Sequence, residues 1–223
     1  MSSVKGDLPA IVRNDADLYE GDLRHYFRVL CRHATNLGHP YHNFRHVSHV
    51  LWLCYQACVF YREEGMTRES MRTLLIAALF HDFNHSGRPG PDKVNIEAAI
   101  MALEEHLLPE DMCYLEHIKH VIKATEFPYT MSTEEVGFLG KIIRDADMGQ
   151  AFSVAWIQQV IYGLAEEWGK TPLEVLKMQG GFLGGLKLHT TWARSVFTPE
   201  VVQEKIDEAR ELLEILAETE VSV

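Results

Sequence analysis

Cysteine is scarce in this chain. The four that occur, Cys31, Cys54, Cys58 and Cys113, include no Cys-x-x-Cys pair, which argues against a cysteine-built metal cluster and for buried free thiols in a reduced compartment. Long apolar runs are missing too. None approaches the roughly 20 residues that a membrane-spanning helix needs, and the N-terminus, MSSVKGDLPA, has no apolar signal core. A cytoplasmic protein with no membrane partner is the expectation. Basic residues are outnumbered, 21 Lys and Arg against 32 Asp and Glu, for a net charge of −11. Binding of nucleic acid depends on Lys and Arg displacing counterions from phosphates, so a nucleic-acid surface is not expected. An anionic small molecule remains compatible, provided metal ions bring the local positive charge. No stretch alternates apolar and polar residues long enough to form a strand, and neither an internal repeat nor a domain-sized linker interrupts the chain.

What is present is helical pattern almost throughout, with 47% hydrophobic and 24% charged residues, the balance of a soluble globular protein. The stretch LLIAALFHDFNH, from Leu74 to His85, is the centre of it. Seven apolar residues with good helix formers and no Gly or Pro read as a buried helix, and they run directly into His81-Asp82, with His85 one turn beyond His81. Helices are expected over Asp15–Asn36, from near Asn43 through Phe60, from Thr67 to Asp82, over Asn95–Leu107 and over Pro109–Glu126. Further helices should follow the Ser132/Glu135 capping pattern as far as IIRDADMG, then span Ala151–Trp168, Thr171 to about Leu188 and Thr198–Glu218. The segment SGRPGPDKVN, with two Gly and two Pro, is the most loop-like and lies where a substrate-facing loop would be useful. The architecture expected is all-α, one compact domain over residues 1–223.

Chemistry concentrates in a few places. His42 and His46 are four apart, hence on one face of a helix expected to begin near Asn43, so both can face one metal, His46 as ligand and His42 above it. KIIRDAD ends in Asp147. His46, His81, Asp82 and Asp147 then form a His-His-Asp-Asp set drawn from three helices. Such a set suits a first-row divalent ion, Zn, Mn or Fe, and a bridging carboxylate can recruit a second, harder ion such as Mg. Two ions can bind a phosphoryl group and acidify a shared water. A departing oxygen must also be protonated, and an imidazole beside the metals can do it, the role expected of His42. Asp145, two residues from Asp147 on the same helix, points elsewhere and reads as a cap or supporting group.

These residues resemble the metal set of the HD-domain metal-dependent phosphohydrolases. PYHNFRH is similar to the Tyr-His-Asn-x-x-His segment of one branch, the class I cyclic nucleotide phosphodiesterases. HDFNH, IEAA, KATEF and ADM resemble further motifs of that branch in order, and MQGGF resembles its Ser-Gln-x-Gly-Phe segment. The resemblance covers about Tyr41 to Trp192. It implies two divalent metals (Zn or another first-row ion with Mg or Mn), Asp82 bridging, and His85, Glu97 and Thr125 holding metal waters. It also implies Glu167 orienting the acid His42, and Gln179, Phe182 and Gln150 at the nucleotide, with Gln179 bonding the base edge and Phe182 clamping its face. The implied reaction is hydrolysis of a 3′,5′-cyclic nucleotide, cyclic AMP or cyclic GMP, to the 5′-monophosphate, a metal-held hydroxide attacking phosphorus while His42 protonates O3′. The partner is thus a small nucleotide or phosphate ester, and a homo-oligomer is compatible with it. Three positions depart from the branch: Ala99 stands where a further His is usual, Glu126 for Asp, and Gln150 for Asn. His117 or His120 is a further candidate for the second-ion shell. The alternatives are another HD-type phosphohydrolase, a nucleotidase or phosphate monoesterase; a di-iron oxygenase; or a non-catalytic nucleotide-binding module.

Overall fold

A computed structural model describes residues 7–220. The first six of the ten residues read as lacking a signal core lie outside them. The described residues form helices and no strand, and no helix is long and apolar enough to cross a membrane. The α-helices are α1 (Leu8–Arg13), α2 (Arg24–His33), α3 (Phe44–Arg62), α4 (Arg68–Phe80), α5 (Lys93–His106), α6 (Leu115–Lys123), α7 (Gly137–Met148), α8 (Gly163–Trp168), α9 (Pro172–Gly185), α10 (Thr191–Val196) and α11 (Pro199–Glu220). α4 is buried on all sides, Met71 through Phe80 without a break, as its unbroken apolar run requires. α3 and α6 pack along it, and α2, α5 and α7 close the remaining faces.

Local chemistry sets the helix ends. The Thr67 hydroxyl accepts from Ser70 N at the start of α4, and at α9 the Thr171/Glu174 capping box forms in full behind Pro172. Three expected helices differ from the reading. The Asp15–Asn36 segment is helical only from Arg24, because Asn14 and Asp17 take left-handed backbone and the Asn14 side chain bonds Leu18 N and Tyr19 O, making a turn after α1. Pro109–Glu126 begins as a 3₁₀ turn, Pro109–Tyr114, before α6. Ala151–Trp168 is divided into the end of a 3₁₀ turn, Gly149–Phe152, then a π-helical turn, Ile157–Tyr162, and α8. All four cysteines are free as expected, but only Cys54 and Cys58 are buried, while Cys31 and Cys113 are exposed.

The apolar residues gather in two clusters. The larger is built on α1–α7 and α10 around Leu51, Leu75, Phe80 and Ile142. The smaller joins Trp156, Val160, Ile161 and Ala165 to Val175, Leu176 and Ala209. A cleft opens between them.

Candidate active site

The cleft has a volume of about 500 Å³, in the range of small-molecule sites. One wall is polar, with His42, Asp82, His85 and Asp147, and the other is apolar, with Val160, Leu164, Met178 and Phe182.

Each residue of the polar wall is placed by a helix end. Asn43 caps α3, accepting from Arg45 N and His46 N while its amide donates to the carbonyls of His39 and Pro40, so the chain entering α3 is clamped to its first turn. His46 sits in that first turn. His42 lies just before the helix, not on it, a correction to the reading that put both on one helical face. α4 ends at Phe80, and a turn through Asn84, in left-handed backbone, presents Asp82 and His85. His85 therefore reaches the cleft from a turn and not from a further helical turn. Buried Asn36 ties the two segments together, donating to His42 O and accepting from Asn84 N. α7 delivers Asp147, and its Asp145 accepts from His189 N and Thr190 N, the supporting role expected of it, while Thr190 itself caps α10.

The donor atoms converge. His46 Nε2 lies 3.0 Å from Asp147 Oδ1 and 3.2 Å from Asp82 Oδ2, and His81 Nε2 lies 3.3 Å from both Asp82 Oδ2 and His46 Nε2. Both rings are oriented from behind. His46 Nδ1 donates to Gln150 Oε1 at 2.7 Å, and His81 Nδ1 to Ala78 O at 2.9 Å, which turns each Nε2 lone pair inward. Burial works against a charged His46, yet the hydrogen bonds and charges of Asp147 and Asp82 outweigh it and raise its pKa well above the ordinary value. Burial likewise opposes a charged Asp82, but His81 and His46 hold its pKa well below the usual carboxylate range. Asp82 Oδ2 is buried between the two imidazoles. Two imidazole nitrogens and two carboxylates turned toward one point, with contacts of 3.0–3.3 Å among them, are the donor set of a divalent ion, and the residues fit one. A second grouping, His42, Asp82 and His85, shares Asp82 with the cleft side of this set.

His42 is fixed by Glu167. Glu167 Oε2 meets His42 Nδ1 at 2.5 Å, and its Oε1 accepts from Tyr41 N and His42 N, each at 2.9 Å. Burial raises the Glu167 pKa, but the His42 contact and the two amides outweigh it and hold it below the ordinary value. This approach needs Gly163, one turn before Glu167, because a Cβ there would stand 2.7 Å from Pro40 O.

Three expected site residues need particular mention. Gln179 is buried and lines the cleft with Phe182, and its Oε1 has no partner. Gln150, expected at the nucleotide, does not line the cleft and spends its amide oxygen on His46. Glu97 is turned to solvent beside Lys93 and does not reach the site. Asn95 and Ala99, one turn apart, face inward on α5 and rotate the position between them outward. Thr125 does line the cleft, its hydroxyl donating to Ile122 O. His117 and His120 line a different cleft, with Glu69 and Gly137. Asp92, Asn95 and Arg88 reach the wall although no motif marked them, delivered by the loop expected to face substrate. The Asp-Lys-Val-Asn run that opens α5 was the signal available for the first two.

The family model described as 3′5′-cyclic nucleotide phosphodiesterase matches residues 41–153, about half of the chain, from Tyr41 beside His42 to just beyond Gln150. Among solved structures, the phosphodiesterase domain of the Salpingoeca rosetta rhodopsin phosphodiesterase is similar, with a TM-score of 0.64 and 15% identity over 95% of this chain and 88% of that one. At that identity the likeness is one of fold. No curated protein sequence matches the chain.

Proposed function

The chain belongs to the 3′5′-cyclic nucleotide phosphodiesterase family, and from that premise we propose that its cleft hydrolyses cyclic AMP or cyclic GMP to the 5′-monophosphate, with His42 as the general acid. A metal-dependent phosphodiesterase acting on a small nucleotide is what the family itself implies. The finer reading is carried by one observation: His42, held through Nδ1 by Glu167, lines the same cleft as Asp82 and Asp147, on which the buried His46 and His81 converge.

His46, His81, Asp82 and Asp147 would hold one divalent ion, and Asp82 with His85 would face a second. Bound ions would neutralise the phosphate charge and acidify a water. The chain's own part is proton handling and placement. Glu167 keeps the Nδ1 proton of His42 in place, which leaves Nε2 to carry the proton that is given up. As the water oxygen bonds to phosphorus and the P–O3′ bond breaks, O3′ takes that proton and leaves as a hydroxyl. Gln179, with an amide that both donates and accepts and an oxygen without a partner, is suited to a base edge. Phe182 and the apolar wall offer the base a stacking face and exclude water.

The test is a turnover panel on metal-analysed protein with Zn, Mn and Mg supplied, comparing 3′,5′-cyclic AMP and GMP with 5′- and 3′-monophosphates. Turnover of the cyclic substrates that falls on Gln179→Ala supports both reaction and pocket. Activity confined to monophosphates would overturn the cyclic-nucleotide reading and favour a monoesterase on the same donor set.

A further inference from the structure

The outward turn of Glu97 leaves the second grouping, His42, Asp82 and His85, without the acidic neighbour that the motif order places there. Another carboxylate stands in that position. Asp92 lies in the loop before α5, and its Oδ1 is 3.8 Å from His85 Nε2. It is held at both oxygens: Oδ2 accepts from Phe127 N at 2.8 Å, and Oδ1 accepts from Asn95 Nδ2 at 3.0 Å.

Asn95 itself is buried and oriented from its other end, where Oδ1 accepts from Ser86 N at 3.0 Å, so its Nδ2 donates to Asp92 beside the His85 ring. Gly87 N donates to His85 Nδ1, which settles the other side of the ring. His85, Asp92, Asn95 and Thr125 thus form one side of the cleft facing Asp82. A carboxylate built into place by two donors, beside the imidazole that is grouped with Asp82, adds negative charge where a second cation would sit.

We propose that Asp92, and not Glu97, is the carboxylate that completes the second-ion site of this chain, acting through His85 and the water shell of the ion. The inference rests on the two-ion reading of the cleft, and its test needs no substrate. Mn²⁺ is titrated into wild-type protein, Asp92→Asn, Asp92→Ser and Glu97→Gln, with free Mn²⁺ followed by electron paramagnetic resonance. Wild-type protein is expected to bind two equivalents. Asp92→Asn should keep the tight equivalent and bind the second at least about tenfold more weakly, the scale of a lost supporting carboxylate. Asp92→Ser, whose hydroxyl can still accept from Phe127 N, should do the same, separating loss of charge from loss of the loop. Glu97→Gln should match the wild type. A second equivalent that binds both Asp92 variants as tightly as the wild type, or that weakens equally in Glu97→Gln, would overturn the proposal, as would a wild type that holds a single equivalent. A wild type that binds two equivalents yet turns over no cyclic nucleotide would sink the functional reading and leave Asp92 in place.

Discussion

His42 has one ring nitrogen committed to Glu167 and the other turned to the cleft, so deleting the ring and deleting its anchor should leave different signatures. His42→Ala removes the proposed proton donor. Turnover is expected to fall by roughly 10²- to 10⁴-fold, while elemental analysis still finds the ion of His46, His81, Asp82 and Asp147. Unchanged turnover would end the acid assignment. Glu167→Gln keeps size and one acceptor but removes charge, and should lower kcat with little change in KM. It should also change the acid limb of stability. The Glu167 pKa is held below its ordinary value of 4.5, so as pH falls the unfolded chain takes up the proton first. Its stabilising contribution is therefore full above the ordinary carboxylate range and is lost as pH falls through the depressed value. Urea midpoints followed from neutral pH downwards should drop more steeply in the wild type than in Glu167→Gln. Parallel curves would show that the His42–Glu167 pair does not act on folding.

α8 reaches His42 because position 163 has no side chain. A Cβ there would meet Pro40 O at 2.7 Å and Tyr41 Cβ at 3.1 Å, whereas a Cβ at Gly180, on α9, would meet nothing within 4 Å. Gly163→Ala is expected to cost about 1–3 kcal/mol as overpacking and to reduce kcat by displacing Glu167. Gly180→Ala should be neutral or stabilising by up to about 1 kcal/mol. Equal behaviour of the two in urea titration and turnover would show that α8 is not held by this close approach. The elements also explain which parts could be read beforehand. Helices such as α3, α4 and α9 announce themselves by apolar spacing or by caps, and His81-Asp82 and Asp147 follow because they close apolar helices. Ends were harder to read, because Asn14, Asp17 and Asn84 take left-handed backbone without marking hydrophobic periodicity. Asp92 and Asn95 were hidden for a similar reason, since the path of a loop brings them to His85. Glu97 was misassigned because the rotation of α5 depends on which residues pack beneath it, Asn95, Ile96 and Ala99, and a motif order does not carry that information.

For the whole molecule, the division of labour follows the two apolar clusters. His46, His81, Asp82 and Asp147 all come from elements of the larger cluster, whereas Glu167, Gln179 and Phe182 come from α8 and α9, which belong with the smaller. An ion held by these four would draw α3, the end of α4 and α7 together, replacing the mutual repulsion of Asp82 and Asp147 with shared ligation. A ligand that binds only the folded state adds about 2.7 kcal/mol at a hundred times its Kd. Saturating Zn²⁺ or Mn²⁺ should accordingly raise Tm, a chelator should lower it, and Asp147→Asn should abolish the difference. The location of the gain is the sharper test. Hydrogen exchange should show the ion protecting α3, α4 and α7 first, with protection of α9 and its partner α11 following only when a cyclic nucleotide spans the cleft. Equal protection of α9 and α11 by the ion alone would mean that the two clusters respond as one cooperative unit and that the cleft is not a seam between them.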